Sequence, residues 1–123
     1  MPDLPLVKSQ ENRQDGVAVL SLQGGWGKGN NDGFRAAASN LVRSGASRIV
    51  LDLTEVSSID SYALASLFAA YARVKAMHPP GSFCLVGANP DLRDEMEKRL
   101  VARLIPDYFD LATGIAAVKR EGT

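Results

Sequence analysis

Ser61 is the residue best placed for a chemical modification in this sequence, because it directly follows Asp60 at the predicted start of a helix. A hydroxyl in this first turn is exposed, and a phosphate added there would face the positive end of the helix dipole. The same predicted helix face carries Tyr62, Ala65, Ser66 and Ala69. Small side chains let a partner approach this face closely. The negative charge of a phosphate on Ser61 would then repel that partner. The alternative interpretation is that Asp60 and Ser61 only cap the helix.

Residues suited to enzymatic catalysis are few. The chain has one histidine, His78, and one cysteine, Cys84. His78 stands at a predicted helix end, where the helix dipole favours a cation, and Cys84 lies in an apolar run typical of a buried strand. Asp52 and Asp60 are a candidate acid–base or magnesium pair, but a capping role explains Asp60 well. We therefore expect no catalytic residue, no metal site and no cofactor.

A glycine-rich segment, residues 23–33, is predicted to be a loop. A phosphate-binding loop of the Walker type needs Ser or Thr after its Gly-Lys pair, but Gly29 follows Lys28. The glycine spacing also differs from that of a dinucleotide-binding loop. The segment is thus predicted to be a surface loop, on which the large side chain of Trp26 is a candidate anchor for a partner.

Composition indicates one domain spanning residues 1–123. The chain is 46% apolar and 23% charged, as ordinary folded domains are. Its 14 basic residues balance 14 acidic ones and form no basic cluster, so no direct nucleic-acid contact is expected. No apolar run is long enough for membrane insertion, no secretory signal is visible, and a single cysteine fits a reducing compartment. We expect a cytoplasmic protein.

Apolar periodicity predicts alternating strands and helices, and hence an α/β fold with a partly parallel sheet. The predicted strands are a short edge strand around Leu4–Val7 and the runs Val17–Leu22, Arg48–Leu53, Phe83–Val86 and Tyr108–Phe109. The predicted helices cover Phe34–Val42, Ser61–Met77, Asn89–Leu104 and Leu111–Lys119. Polar turns or loops are expected at residues 11–16 and 54–60.

Short polar motifs predict where the helices begin and end. Asn31 or Asp32 is expected to cap the first helix, and Gly45 is expected to terminate it. Asn89 followed by Pro90 is typical of a helix start. The inner side of that third helix is predicted to carry Leu92, Met96, Leu100 and Leu104.

Three segments resemble the signature of a known family, the STAS domains. The run Arg48–Ser61 has the family's strand ending in Asp-Leu, then a loop, a hydrophobic residue and Asp-Ser. Phe83–Pro90 is similar to the family's next strand, glycine and helix-opening proline, and Leu104–Pro106 is a weaker match. The resemblance covers about residues 15–118 and leaves residues 1–14 as an N-terminal extension or edge strand. It implies a STAS-type α/β fold: a mixed sheet of four to five strands with about four helices mainly on one side.

Within this family the sequence resembles bacterial anti-sigma factor antagonists. The resemblance implies that Ser61 is phosphorylated by an anti-sigma factor serine kinase and dephosphorylated by a cognate phosphatase. The unphosphorylated form would bind the kinase and free the sigma factor, so the domain would regulate transcription by partner switching, without enzymatic activity. The expected partner-binding residues are Asp60, Ser61, Tyr62, Ala65, Ser66, Ala69 and Trp26. One departure from the pattern is that Tyr62 and Ala63 stand where antagonists usually have a small residue and a glycine.

An accessory subunit is the alternative within the same family. Such a subunit would belong to an ABC lipid-transport complex or to a stressosome, and would bind through the same helix without obligatory phosphorylation. Ser61 would then be only a helix cap. Ser57 and Ser58 are alternative phosphorylation sites, and the sequence defines neither the partner nor the oligomeric state.

Overall fold

A five-stranded mixed sheet forms the centre of the protein in the computed structural model, which describes residues 5–14, 16–99 and 101–121. The strands are β1 (Val7–Gln14), β2 (Val17–Trp26), β3 (Arg48–Ile59), β4 (Ser82–Val86) and β5 (Asp107–Tyr108). The helices are α1 (Asn31–Arg43), α2 (Ser61–Lys75), α3 (Pro90–Lys98), α4 (Val101–Leu104) and α5 (Leu111–Glu121). The strands lie side by side in chain order; β1 and β2 are antiparallel, and the other neighbours are parallel. The predicted α/β fold with a mixed sheet is confirmed.

Both faces of the sheet are covered, because the central strands are apolar on both sides. Successive side chains of a strand point to opposite faces. One face packs against α1, α2 and α3 and carries Leu20 and Leu51. The opposite face packs against α5 and carries Val19 and Val50. Three of the four longer helices therefore lie on one side, as the STAS-type fold implies.

The β1–β2 hairpin is longer than the sequence pattern predicts. The backbone of β1 pairs with β2 from Val7 to Gln14, with two irregularities in register. The turn expected at residues 11–16 is therefore wrong for residues 11–14, whose polar composition is compatible with an edge strand. Gly16 has a φ of +81°, a turn conformation that glycine adopts without steric cost. Leu4, expected in this strand, lies outside the described residues.

Parts of the two predicted loops are instead extensions of the parallel strands, whereas residues 27–30 form a turn, as predicted. β2 continues to Trp26 and β3 continues to Ile59, and these two end residues pair with each other. The register shifts near Gly24 and Gly25, where the strands depart from regular pairing. In this part of β3 the buried residues Val56 and Ile59 are separated by exposed polar residues. Such a mostly polar segment predicts a loop when only the sequence is considered. The extension brings the end of β2 next to the start of α2.

The region after Asn89 contains two helices rather than one. α3 ends at Lys98, and the single turn α4 follows. The prediction that Leu104 lies on the inner side is wrong, because Leu104 is 49% exposed. Val101 and Ile105 are buried at this point of the chain. Leu100 lies outside the described residues.

The predicted ends of α1 and α2 need small corrections. Asn30, rather than Asn31 or Asp32, is the N-cap of α1, and its side chain makes no capping hydrogen bond. Gly45 follows the end of α1 with a φ of +88°, as expected of a terminating glycine. α2 ends at Lys75 and contains 15 residues. Within the described ranges, no helix is long and apolar enough to cross a membrane.

Candidate partner-binding site

The start of α2 is held by the carboxylate of Asp60, which is the N-cap residue. The amide of Ala63 donates a hydrogen bond of 2.9 Å to Oδ1 of Asp60, which satisfies one of the free amides of the first turn. The backbone amide of Asp60 donates to the carbonyl of Trp26 at 3.1 Å. The cap is therefore attached both to the helix that it begins and to the last residue of β2.

The turn between β2 and α1 is docked onto the same carboxylate. The amide of Lys28 donates to Oδ2 of Asp60 at 2.9 Å. Asn30 stabilises this turn, because its Oδ1 accepts from the amide of Gly27 at 2.9 Å and its Nδ2 donates to the carbonyl of Gly25 at 2.6 Å. A side chain at position 27 would collide with the carboxylate of Asp60, so glycine is required for this close approach.

These hydrogen bonds stabilise the charged form of Asp60. The amide of Ala63 contributes most to holding the pKa of this carboxyl below its ordinary value of 3.8. The amides of Lys28 and Tyr62 and the positive charge of Arg99 also lower the pKa, whereas partial burial opposes them. Asp60 is thus an anionic cap at neutral pH, and the sequence-based interpretation of this residue as a helix cap is consistent with the geometry.

Ser61 is exposed and is the first residue of α2. Because Asp60 supplies the cap, the hydroxyl of Ser61 is not needed for it. Tyr62 follows with 52% of its surface exposed, and Nζ of Lys28 lies 5.5 Å from the centroid of its ring, within the range of a cation–π interaction. The tip of α2 therefore presents a hydroxyl and an aromatic ring to solvent, and the neighbouring turn adds the side chain of Lys28.

Trp26 is not on a surface loop, and its predicted role as an exposed anchor is wrong. It is the last residue of β2 and only 1% exposed. Its ring packs against Phe34 with the two centroids 4.6 Å apart. The indole Nε1 donates to Oδ1 of Asn31 at 3.0 Å. Burial against α1 leaves the ring no surface with which to contact a partner directly.

Asn31 connects three elements, and sequence reasoning considered it only as a cap. It accepts from Trp26 of β2, and its Nδ2 donates to Oγ of Ser66 in α2 at 2.6 Å. A second contact reaches the carbonyl of Tyr62 at 3.4 Å. Asn31 is buried, and buried amides need such partners. It fixes the distance between the first turns of α1 and α2, but no sequence signal distinguished it from the neighbouring polar residues.

An open groove runs between α1 and α2. Its volume is about 680 Å³. Among the residues lining it are four that the sequence predicted for partner binding, namely Tyr62, Ala65, Ser66 and Ala69. Asp60 and Ser61 precede Tyr62 at one end of this groove. The structure therefore brings six of the seven predicted residues to one surface and excludes Trp26; their role in binding stays a prediction.

The other polar candidates do not join this surface. Asp52 accepts from the amide of Thr54 at 2.9 Å and from its hydroxyl at 2.5 Å, whereas Asp60 bonds to Ala63 and Lys28. His78 is exposed beyond the far end of α2, and Cys84 is buried in β4. In the described part of the chain, no three His, Cys, Asp or Glu side chains are grouped so as to hold a metal ion.

The fold matches that of known proteins. The profile of the STAS domain family matches residues 9–113, whereas no curated protein sequence is significantly similar to the chain. A solved structure of a candidate anti-sigma factor antagonist from Thermotoga maritima is 22% identical, with a TM-score of 0.81 over 89% of this chain and 92% of that one. An anti-sigma factor antagonist from Mycobacterium paratuberculosis is 24% identical, with a TM-score of 0.79 over 88% and 90% of the two chains.

A third similar structure is of a modified protein. The Bacillus cell fate determinant SpoIIAA in its phosphorylated form is 18% identical, with a TM-score of 0.65 over 92% of this chain and 97% of that one. The three structures share the fold described above, and the family profile covers most of the sequence. This chain therefore belongs to the STAS domain family.

Proposed function

We propose that this protein is an anti-sigma factor antagonist that works by partner switching. In its unphosphorylated form it binds an anti-sigma factor kinase through the tip of α2 and the groove beside it. Phosphorylation of Ser61 by that kinase ends the complex, and a cognate phosphatase restores binding. The observation that carries the proposal is the exposed hydroxyl of Ser61, which follows a cap that does not need it and precedes the groove-lining Tyr62.

The local electrostatics support a phosphate on Ser61 in the free protein. The phosphate would lie at the positive end of the α2 dipole, close to the turn that carries Lys28. The fold would therefore tolerate the modification. In a complex the phosphate would be desolvated against the partner. An unpaired charge in that position would cost about 2–5 kcal/mol of binding free energy. Affinity for the partner would then fall far more than tenfold.

Tyr62 fits this proposal although it departs from the family pattern. Its exposed ring lines the groove, and aromatic side chains are frequent anchors in protein interfaces. A bulky residue directly after Ser61 would make the partner's pocket differ from one that accepts a small residue. The proposal therefore includes a partner that is specific for this protein.

The proposed role is one of binding, without a catalytic step of its own. The protein would act in the cytoplasm, with no cofactor, no direct nucleic-acid contact and no insertion into a membrane. Its effect on transcription would be indirect, through the sigma factor that the kinase otherwise holds.

The proposal can be tested with three baits in a pull-down from native lysate: wild type, Ser61→Ala and Ser61→Asp. Partners are identified by mass spectrometry. We expect an ATP-binding kinase that is held by wild type and Ser61→Ala and lost by Ser61→Asp. Ser57→Asp is the matched control, because it adds the same charge at another exposed serine of the neighbouring β3 and should keep the kinase.

Two results would contradict the proposal. An ABC ATPase or a stressosome scaffold held equally by all three baits would identify the protein as an accessory subunit, with Ser61 only a part of the helix start. Loss of the kinase from Ser57→Asp but not from Ser61→Asp would move the switch to another serine. Incubation of the captured kinase with ATP and the wild-type protein, followed by mapping of the phosphorylated residue, provides an independent check.

A further inference from the structure

Three arginines line the groove between α1 and α2, although the chain as a whole has no net charge. Arg35 and Arg43 belong to α1, and Arg73 belongs to α2. Among the described residues that line the groove, none is Asp or Glu. The groove is therefore a local concentration of positive charge, and this charge is complementary to an acidic ligand.

The arginines are incompletely neutralised within the protein. The guanidinium of Arg35 lies 3.7 Å from the carboxylate of the exposed Asp32. Arg43 donates to Oδ1 of Asn40 at 2.7 Å, and Arg73 donates across the groove to Oγ of Ser39 at 3.4 Å. Within the described ranges, neither Arg43 nor Arg73 has an ion pair. Two of the three charges are thus oriented by neutral groups and are available to a partner.

The helix dipoles do not explain this set of charges. Arg43 and Arg73 lie in the last turns of their helices, where a cation offsets the negative end of the dipole. Arg35 does not, because it lies in the N-terminal half of α1. Eight residues separate Arg35 from Arg43, a distance of about 12 Å along a helix. The charge is therefore distributed along the groove rather than gathered at its end.

The shape of the groove indicates the kind of ligand. Ala65 and Ala69 contribute small apolar surface to the wall formed by α2, so another backbone can approach closely. An anion of the size of a phosphate is too small to reach charges about 12 Å apart. A membrane is flat, whereas these alanines lie in a concave surface and are too short to insert between lipids. A helix with carboxylates at every fourth position has both the length and the charge spacing.

We propose that the groove binds an acidic amphipathic helix of the protein partner, with carboxylates facing Arg35, Arg43 and Arg73 and small apolar residues on Ala65 and Ala69. This inference rests on the proposed function, because it names the chemistry of the partner that the same surface binds. It also gives a physical reason for the switch. A phosphate on Ser61 would place negative charge at one end of a groove occupied by an acidic segment and would repel it.

The test uses a synthetic helical peptide of about 15 residues, with Glu on one face and Ala on the other, added to the full isotopically labelled chain. We expect amide NMR shifts at residues of the groove, including Ser39, Ala65 and Ala69. A matched peptide with Gln in place of Glu should bind more weakly. The double variant Arg43→Gln/Arg73→Gln should weaken binding of the acidic peptide about fivefold. Arg103→Gln, an exposed arginine in α4, removes one positive charge elsewhere and should leave binding unchanged.

The outcomes separate this inference from the proposed function. Absence of shifts in the groove, or equal affinity of the double variant and wild type, would overturn the inference. Binding to vesicles containing phosphatidylserine instead of the peptide would also overturn it and would indicate a lipid surface. If a kinase is captured and released by Ser61→Asp but is held equally by the double variant, the proposed function stands and the acidic helix is wrong. If the peptide binds as expected and no kinase is captured, the groove chemistry stands and the switch is wrong.

Discussion

The starts of α2 and α3 are built by the same local rule. Both helices follow neighbouring parallel strands, β3 and β4. In each helix the N-cap side chain accepts a hydrogen bond from the amide three residues later. The distance is 2.9 Å between Asp60 and Ala63, and 2.8 Å between Asn89 and Leu92. Capping of this kind explains why both segments begin helices where they do.

The two starts differ in charge and in the first helical residue. Asp60 is an anion that also holds the amide of Lys28, whereas Asn89 is neutral and donates to the carbonyl of Val56 at 3.3 Å. The first residue of α3 is Pro90, which favours a helix start through its fixed φ. The first residue of α2 is Ser61, which has no comparable conformational advantage. Helix stability therefore accounts for Pro90 at the first position of α3, whereas Ser61 at the same position of α2 is the exposed residue on which the proposed function depends.

The largest loss of stability is expected from substitution of Trp26. Its ring is buried, and its hydrogen bond to Asn31 supports the start of α2. Trp26→Ala removes a buried ring and should lower the free energy of unfolding by about 3–5 kcal/mol. Urea denaturation followed by circular dichroism measures the change, since the substitution removes the single tryptophan. Trp26→Phe is the control that keeps a ring against Phe34, and it should lose less. A loss for Trp26→Ala below about 1 kcal/mol would contradict the close packing of this ring between β2 and α1.

A smaller loss of stability is expected from substitution of Gly27. This glycine has no side chain and so allows the carboxylate of Asp60 to approach the turn closely. Gly27→Ala would push a methyl group into that carboxylate and should cost about 1–3 kcal/mol of unfolding free energy. Gly29→Ala is the matched control in the same turn, because a methyl group there meets no atom within 4 Å. Equal stability of the two variants, measured by urea denaturation, would mean that the turn is not rigidly attached to α2.

The sequence predicted the two helix starts because their signals are local. Asp60 and the Asn89-Pro90 pair act within three residues of themselves, so their types and positions carry the information. The strand extensions at the ends of β2 and β3 were missed for the opposite reason. Trp26 stands among glycines, and its burial depends on contacts outside this segment, namely packing against Phe34 of α1 and pairing with Ile59 at the end of β3.

The candidate site could be predicted only in part on the same grounds. The spacing of Tyr62, Ala65, Ser66 and Ala69 along one helix indicated a common face. The opposite wall of the groove, with Arg35 and Arg43 of α1, was not predicted, because the parallel packing of α1 against α2 is a property of the tertiary structure. Asn31 was missed as well, since only the packed structure shows that it is buried and that it joins Trp26 to Ser66.

The smallest expected difference between the two starts is their response to acid. The amide of Ala63, helped by those of Lys28 and Tyr62, keeps the pKa of Asp60 below its ordinary value of 3.8. A carboxyl with a lower pKa in the folded chain than in the unfolded chain stabilises the fold above that ordinary value. This stabilisation is lost as the pH falls through the folded pKa. Asn89 has no proton to gain in this range, so the capping side chain of α3 contributes no such dependence.

We therefore expect Asp60→Asn to flatten the pH dependence of the unfolding free energy below pH 3.8, compared with wild type. Urea denaturation at pH values on both sides of 3.8 measures this. Asp110→Asn is the matched control, because Asp110 caps α5 by accepting from the amide of Thr113 and also has a lowered pKa. Both substitutions should flatten the curve, but only Asp60→Asn should shift the amide resonance of Lys28. Parallel curves for Asp60→Asn and wild type would mean that the anionic cap of α2 is energetically no different from the neutral cap of α3.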